Sequence, residues 1–151
     1  MAPVLIACGG FLLAVLWMDL LFDVQARHLG VENATAAAAL ASIAAYYRRV
    51  TTDAFPMNRL IGGVMLLQLA GIARELLTGM IAGRRALAVL VLGTVPIGLA
   101  FLRIFPDAVR LGGATDTAAI QAHLARRIYC GHVACFIAIA TFTTLQIQLV
   151  R

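Results

Sequence analysis

The chain has no lysine: all 12 of its basic residues are arginine, against 7 acidic residues, and the net charge is +5 across 151 positions. Charged residues of either sign amount to 13% of the sequence, too few to solvate a globular surface, while 62% is hydrophobic. A basic balance raises nucleic acid as a partner. Here, however, the arginines stand in ones and twos at the ends of apolar runs, with no polar domain to carry a groove-binding element, so no nucleic acid partner is expected and anionic lipid head groups take its place. Arginine without lysine, among abundant Ala and Leu, points to a GC-rich bacterial genome, and a bacterial inner (plasma) membrane is the expected location.

Signature spacings are also missing. There is no HxxxH, ExxH or CxxC pattern, no nucleophile elbow, no phosphate loop and no dinucleotide fingerprint, so no metal is expected and the cofactor, if any, is unknown. The 3 cysteines do not form a framework. Cys8 starts the first apolar run, whereas Cys130 and Cys135 start the last, on the other side of any alternating topology. Five apart on one helix, the latter two point away from each other, and all three read as small apolar fillers.

What is present is length. Apolar runs at about 4–22, 60–82, 86–105 and 128–150 match the roughly 17–25 residues that a helix needs to cross about 30 Å of hydrocarbon. The expected fold is therefore an all-α integral membrane protein: one domain, a four-helix transmembrane bundle. The box Leu5-Ile6-Ala7-Cys8 precedes its apolar region rather than following it, so the first run reads as a retained helix and not a signal peptide.

Between the first two spans, Gly30 offers a stop and Asn33 or Thr35 a cap for a helix over 36–47, whose Leu40, Ile43, Tyr47 and Val50 recur at helical spacing. It is too short to span and is expected along the interface, with Tyr46-Tyr47-Arg48-Arg49 as a head-group anchor. Pro56 suits the first turn of the second span and Pro96 predicts a kink in the third. Thr115 or Asp116 can cap a helix that runs into the fourth span without a break, giving a second extension. Residues 22–30 and 105–112 share an order of Phe, Asp, Val, Arg and Leu-Gly, each leading into an Ala-rich helix with a double arginine; a duplicated two-helix unit would produce this order, as would chance in so Ala- and Leu-rich a chain. Arg27, Arg48, Arg49, Arg59, Arg103, Arg110, Arg126 and Arg127 fall on the first and third connections, against Arg84, Arg85 and Arg151 on the other side. The long loops are expected in the cytoplasm and both termini outside.

Depth decides which polar residues can meet. Asp19, Arg103 and His132 lie within roughly 4–7 Å of one boundary by helical rise, and form the candidate catalytic set. Asp19 in an apolar span needs a partner, for which Arg103 is the expectation, while Asp23 can pair with Arg27 one turn on and Asp107 with Arg110. Asp19 and Asp23, at i and i+4, share a face, the geometry of two carboxylate ligands or of an acid and base pair. His132 can transfer protons, ligate a metal, donate to a quinone, or simply pack. Asp23, His123, Tyr129 and the arginines Arg48, Arg49, Arg126 and Arg127 form the candidate binding surface for lipid. Arg74-Glu75 marks a second polar site on the far side, with Thr143, Thr144 and Gln146 at its depth. Gly79 and Gly83 form a GxxxG pair suited to close helix packing.

Three functions fit these residues. The first is binding of anionic lipid, a second copy of the chain or a partner membrane subunit through the Arg-rich cytoplasmic face. The second is a membrane-embedded enzyme for a lipophilic substrate such as a quinone, sterol or polyketide. The third is a small transporter or proton pathway using Asp19 and Glu75.

Overall fold

A computed structural model describes residues 1–29 and 34–150. Helix α1 (Ala2–Asp23) ends in a tight turn of 3-10 helix (Val24–His28). It is followed by α2 (Ala34–Thr52), α3 (Met57–Leu77), α4 (Gly83–Leu99), a single π-helical stretch (Ala100–Ile104), α5 (Phe105–Gly113) and α6 (Ala118–Val150). Four helical stretches are long and apolar enough to cross a membrane: Ala2–Arg27, Met57–Leu77, Gly83–Gly113 and Ala118–Val150. The protein is thus an all-α bundle with four membrane-crossing helices, as the apolar runs predict. Gly30 and Asn33 lie outside the described residues.

The third span does not close at 105. It continues through α5 to Gly113, a helical stretch of 31 residues. The widened π turn comes just before Pro106, whose ring cannot sit under the carbonyl one turn back; inserting a residue relieves that clash and lets the helix run on. The extension matters because α2 folds back onto it. Helix α2, which is not among the membrane-crossing helices, packs chiefly against α5, burying Ile43 and Tyr47. The side chains of Arg48 and Arg49 on this helix stay exposed.

Gly112 permits this crossing. A Cβ there would stand 2.8 Å from the backbone nitrogen of Arg48 and 3.0 Å from its Cα, positions that no side-chain rotation can vacate. Gly112→Ala is expected to cost about 1–3 kcal/mol by overpacking. Gly113→Ala, where a Cβ meets nothing within 4 Å, should be neutral or slightly stabilising. Thermal unfolding of the two variants in detergent checks the difference.

Gly79 and Gly83 have another role than the expected packing pair. Both adopt positive φ, 66° and 59°, in the turn joining α3 to α4, and a Cβ on either would touch nothing. They are there for a backbone conformation that other residues resist.

Two apolar cores result. One, at the end where α1 finishes, gathers Ile43, Tyr47, Leu111, Leu124 and Ile128. The other, at the opposite end, joins Leu5, Ile72, Val89 and Phe142. The two halves resembling each other in sequence are not alike in surroundings: Asp23 is fully buried, whereas its counterpart Asp107 keeps 15% of its side chain exposed beside Arg127. The second extension also runs unbroken into its span, unlike α2.

Candidate functional site

The last turn of α1 presents Asp19 and Asp23 on one face, as their i,i+4 spacing requires. Facing them, α2 brings two consecutive tyrosines and α6 brings His132. Tyr46 donates its hydroxyl to Asp19 Oδ1 at 2.5 Å, and Tyr47 donates to Asp23 Oδ1 at 2.6 Å. His132 Nδ1 lies 2.6 Å from Asp23 Oδ2, while its Nε2 stands 3.9 Å from Asp19 Oδ2. Phe22 stacks on Tyr46 with ring centroids 4.1 Å apart and keeps that ring in place.

One assignment of protons satisfies these contacts: with its carboxylate accepting only, Asp23 takes one bond from Tyr47 and one from His132 Nδ1–H. The hydroxyl of Tyr47 and Nδ1 of His132 are then both donors, and their 3.5 Å separation is contact rather than a bond. With Nδ1–H held by Asp23, the other ring nitrogen is left for chemistry. Nε2 can act as a base, and once it carries a proton the Asp19 carboxylate is near enough to stabilise the resulting charge. Burial, followed by the charge of the neighbouring aspartates, pushes both phenols well above the ordinary tyrosine range. Tyr46 and Tyr47 therefore remain donors.

Asp19, Tyr46, Tyr47 and His132 line one side of a cavity of about 440 Å³, within the range of small-molecule sites. The remaining wall is almost wholly apolar: Val15, Met18, Ile61, Met65, Phe101 and Ile104 contribute, with Thr51 and Asn58 at one end. A smaller cavity of about 130 Å³ shares Asp19 and His132 and reaches inward toward Pro96 and Cys135. On its outer side the larger cavity lies between α3 and α5. Helix α3 packs against α1 and α4 but makes no substantial contact with α5, and Met57, Phe101 and Phe105 on the rim are exposed.

Three expected pairings are replaced. Arg103 is exposed and, among the described residues, makes no hydrogen bond or ion pair, so it is not the partner of Asp19; the π turn rotates it outward while Ile104 turns in. Asp23 does not pair with Arg27, which instead donates to the Tyr129 hydroxyl at 2.7 Å and lies over that ring. Arg110 reaches forward to Asp116 through two bonds of 2.7 and 2.8 Å, holding that carboxyl below the usual carboxylate range, and Asp107 pairs with Arg127 at 3.0 Å.

The expected lipid-facing arginines divide. Arg48 and Arg49 are exposed on α2, but Arg126 donates to the Leu29 carbonyl at 2.7 Å, tying α6 to the turn after α1. His123 is exposed one turn before Arg127. At the opposite end, Glu75 is buried and accepts from Gln146 Nε2 at 3.1 Å, while Arg74 faces outward. Thr143 and Thr144 bond carbonyls of their own helix instead.

Tyr46 and Tyr47 are the members of the site that sequence reasoning missed. Tyr47 stands on the same helical stripe as Ile43 and Val50, and that stripe was the signal that it turns inward. Among the described residues no group of three His, Cys, Asp or Glu side chains is arranged to hold a metal ion. In comparison with known proteins, the chain matches no family, no curated protein and no solved structure.

Proposed function

We propose that the protein is a membrane-embedded acid–base enzyme acting on a lipophilic substrate that carries one polar, hydrogen-bonding group. The observation that carries this reading is the cavity itself: a largely apolar chamber of about 440 Å³ on which Asp19, Tyr46, Tyr47 and His132, a hydrogen-bonded cluster, converge, with Thr51 and Asn58 its other polar side chains. A lipid-binding surface needs no such convergence. The substrate enters from the bilayer between α3 and α5, past Phe101 and Phe105, with its polar end toward Asp19. His132 Nε2 removes or returns a proton, Asp23 fixes its ring, and Tyr46 with Asp19 supplies the opposing donor and charge. Proton transfer within one lipophilic molecule, such as migration of a double bond or closure of a ring, needs only these groups. The excess of arginine at this end supports placing it on the cytoplasmic side.

Cavity filling tests the proposal. Gly62 lies on the cavity wall with nothing within 4 Å of a Cβ, so Gly62→Phe is the substitution chosen to fill the chamber. Organic extracts of purified wild-type protein, resolved by mass spectrometry, are expected to contain a lipophilic compound that the Gly62→Phe protein lacks. Identical extracts from the two proteins would overturn the reading.

A further inference from the structure

Helix α6 presents a second face with polar side chains. His132 turns inward, but His123, Arg127, Cys130 and Ala134 recur at i, i+4, i+7 and i+11 and form a separate stripe, about 140–180° from His132 around the axis. That stripe lines a groove of about 380 Å³ between α6 and the junction of α4 with the π turn. Its rim carries Arg103, Arg126 and Arg127 together with His123, against the single carboxylate of Asp107; its floor is apolar, with Leu99 and Ala134 along it. Arg127 is braced by Asp107 at 3.0 Å and Arg126 by the Leu29 carbonyl at 2.7 Å, so two guanidinium groups are held in place with donors to spare. Arg103 has spent none of its donors among the described residues. Charged rim and apolar floor meet at the polar limits of the apolar runs 86–105 and 128–150.

We propose that this groove binds a phosphate-bearing lipid, its phosphate held between Arg103 and the Arg126–Arg127 pair and an acyl chain lying along Leu99 and Ala134. Three guanidinium groups about one site suit a phosphate, which accepts several charge-assisted bonds at once. The groove and the inner cavity lie on different sides of α6, and the assignment stands whether or not the inner cavity is catalytic.

The test is lipid retention by the full chain, released from bilayers of equal parts phosphatidylcholine and phosphatidylglycerol and weighed by native mass spectrometry. The wild-type protein is expected to keep one phosphatidylglycerol in preference to phosphatidylcholine. Arg103→Gln, at an exposed position, should weaken that retention by about tenfold or more, the scale of one lost charge-assisted contact. Ala134→Phe should do the same with every charge intact, by blocking the floor, and Arg85→Gln at the other end of the bundle should change nothing. Added glycerol phosphate, the head group without chains, should fail to compete. Equal retention of the two lipids, retention unchanged in Arg103→Gln, or full displacement by glycerol phosphate would each overturn the assignment, the last in favour of a soluble phosphate ligand.

Discussion

Asp23→Ala is expected to remove about 3–5 kcal/mol of stability, the usual cost of deleting one partner from a buried charged network. The carboxylate is fully buried and accepts from both Tyr47 and His132. Without it, a phenol 2% exposed and an imidazole 6% exposed keep their protons with nowhere to place them. The loss should spread, because these bonds tie α1, α2 and α6 together at one end of the bundle. Asp23→Asn discriminates between packing and polarity: the amide oxygen can accept one of the two bonds, but its NH2 group opposes the other donor, so about 1–3 kcal/mol should be lost. Arg27→Ala is the informative control. Were Asp23 paired with Arg27, as the i,i+4 spacing predicts, both substitutions would hurt; since Arg27 lies on Tyr129 at the surface, its removal should cost no more than about 1 kcal/mol. Thermal and denaturant unfolding of the three variants in one detergent measures all of these.

His132→Gln and Asp19→Asn are expected to lower turnover by about 10²–10⁴-fold, the contribution of a positioned acid or base, in protein that still folds. Glutamine can donate to Asp23 in place of Nδ1–H but cannot exchange a proton, and asparagine at 19 still accepts from Tyr46. Chemistry is thereby separated from architecture. On the proposed function, the reaction can be followed before the product is identified, by incubating the protein in deuterated buffer with any lipophilic compound extracted from it and reading deuterium incorporated at carbon. Wild-type protein should exchange, the two variants should not, and Arg103→Gln should exchange like wild type because Arg103 faces away from the cavity. Exchange at wild-type rate in both His132→Gln and Asp19→Asn would remove acid–base catalysis from the inner site. Tyr46→Phe should fall between, since it leaves Asp19 in place without its donor at 2.5 Å.

The amino-acid sequence by itself determined the solvent, the four spans and the depth of each polar residue, because depth is only helical rise multiplied by position. It was enough to place Asp19 and His132 in one layer and Glu75 with Gln146 in another. It could not determine rotation about each helix axis. In lipid the outward faces are as apolar as the inward ones, so α1, α4 and α6 carry little of the amphipathic contrast that shows which side of a soluble helix is buried. Arg103 and Asp23 were misdirected for this reason: each had a partner at the right depth or spacing, and the fold turned each the other way. Only the tertiary structure showed that α2 returns to the bundle. That depends on a third span long enough to offer α5 and on Gly112, where the backbones of α5 and α2 come so close that no side chain fits between them. With α2 docked there, Tyr46 and Tyr47 become donors to the two aspartates of α1.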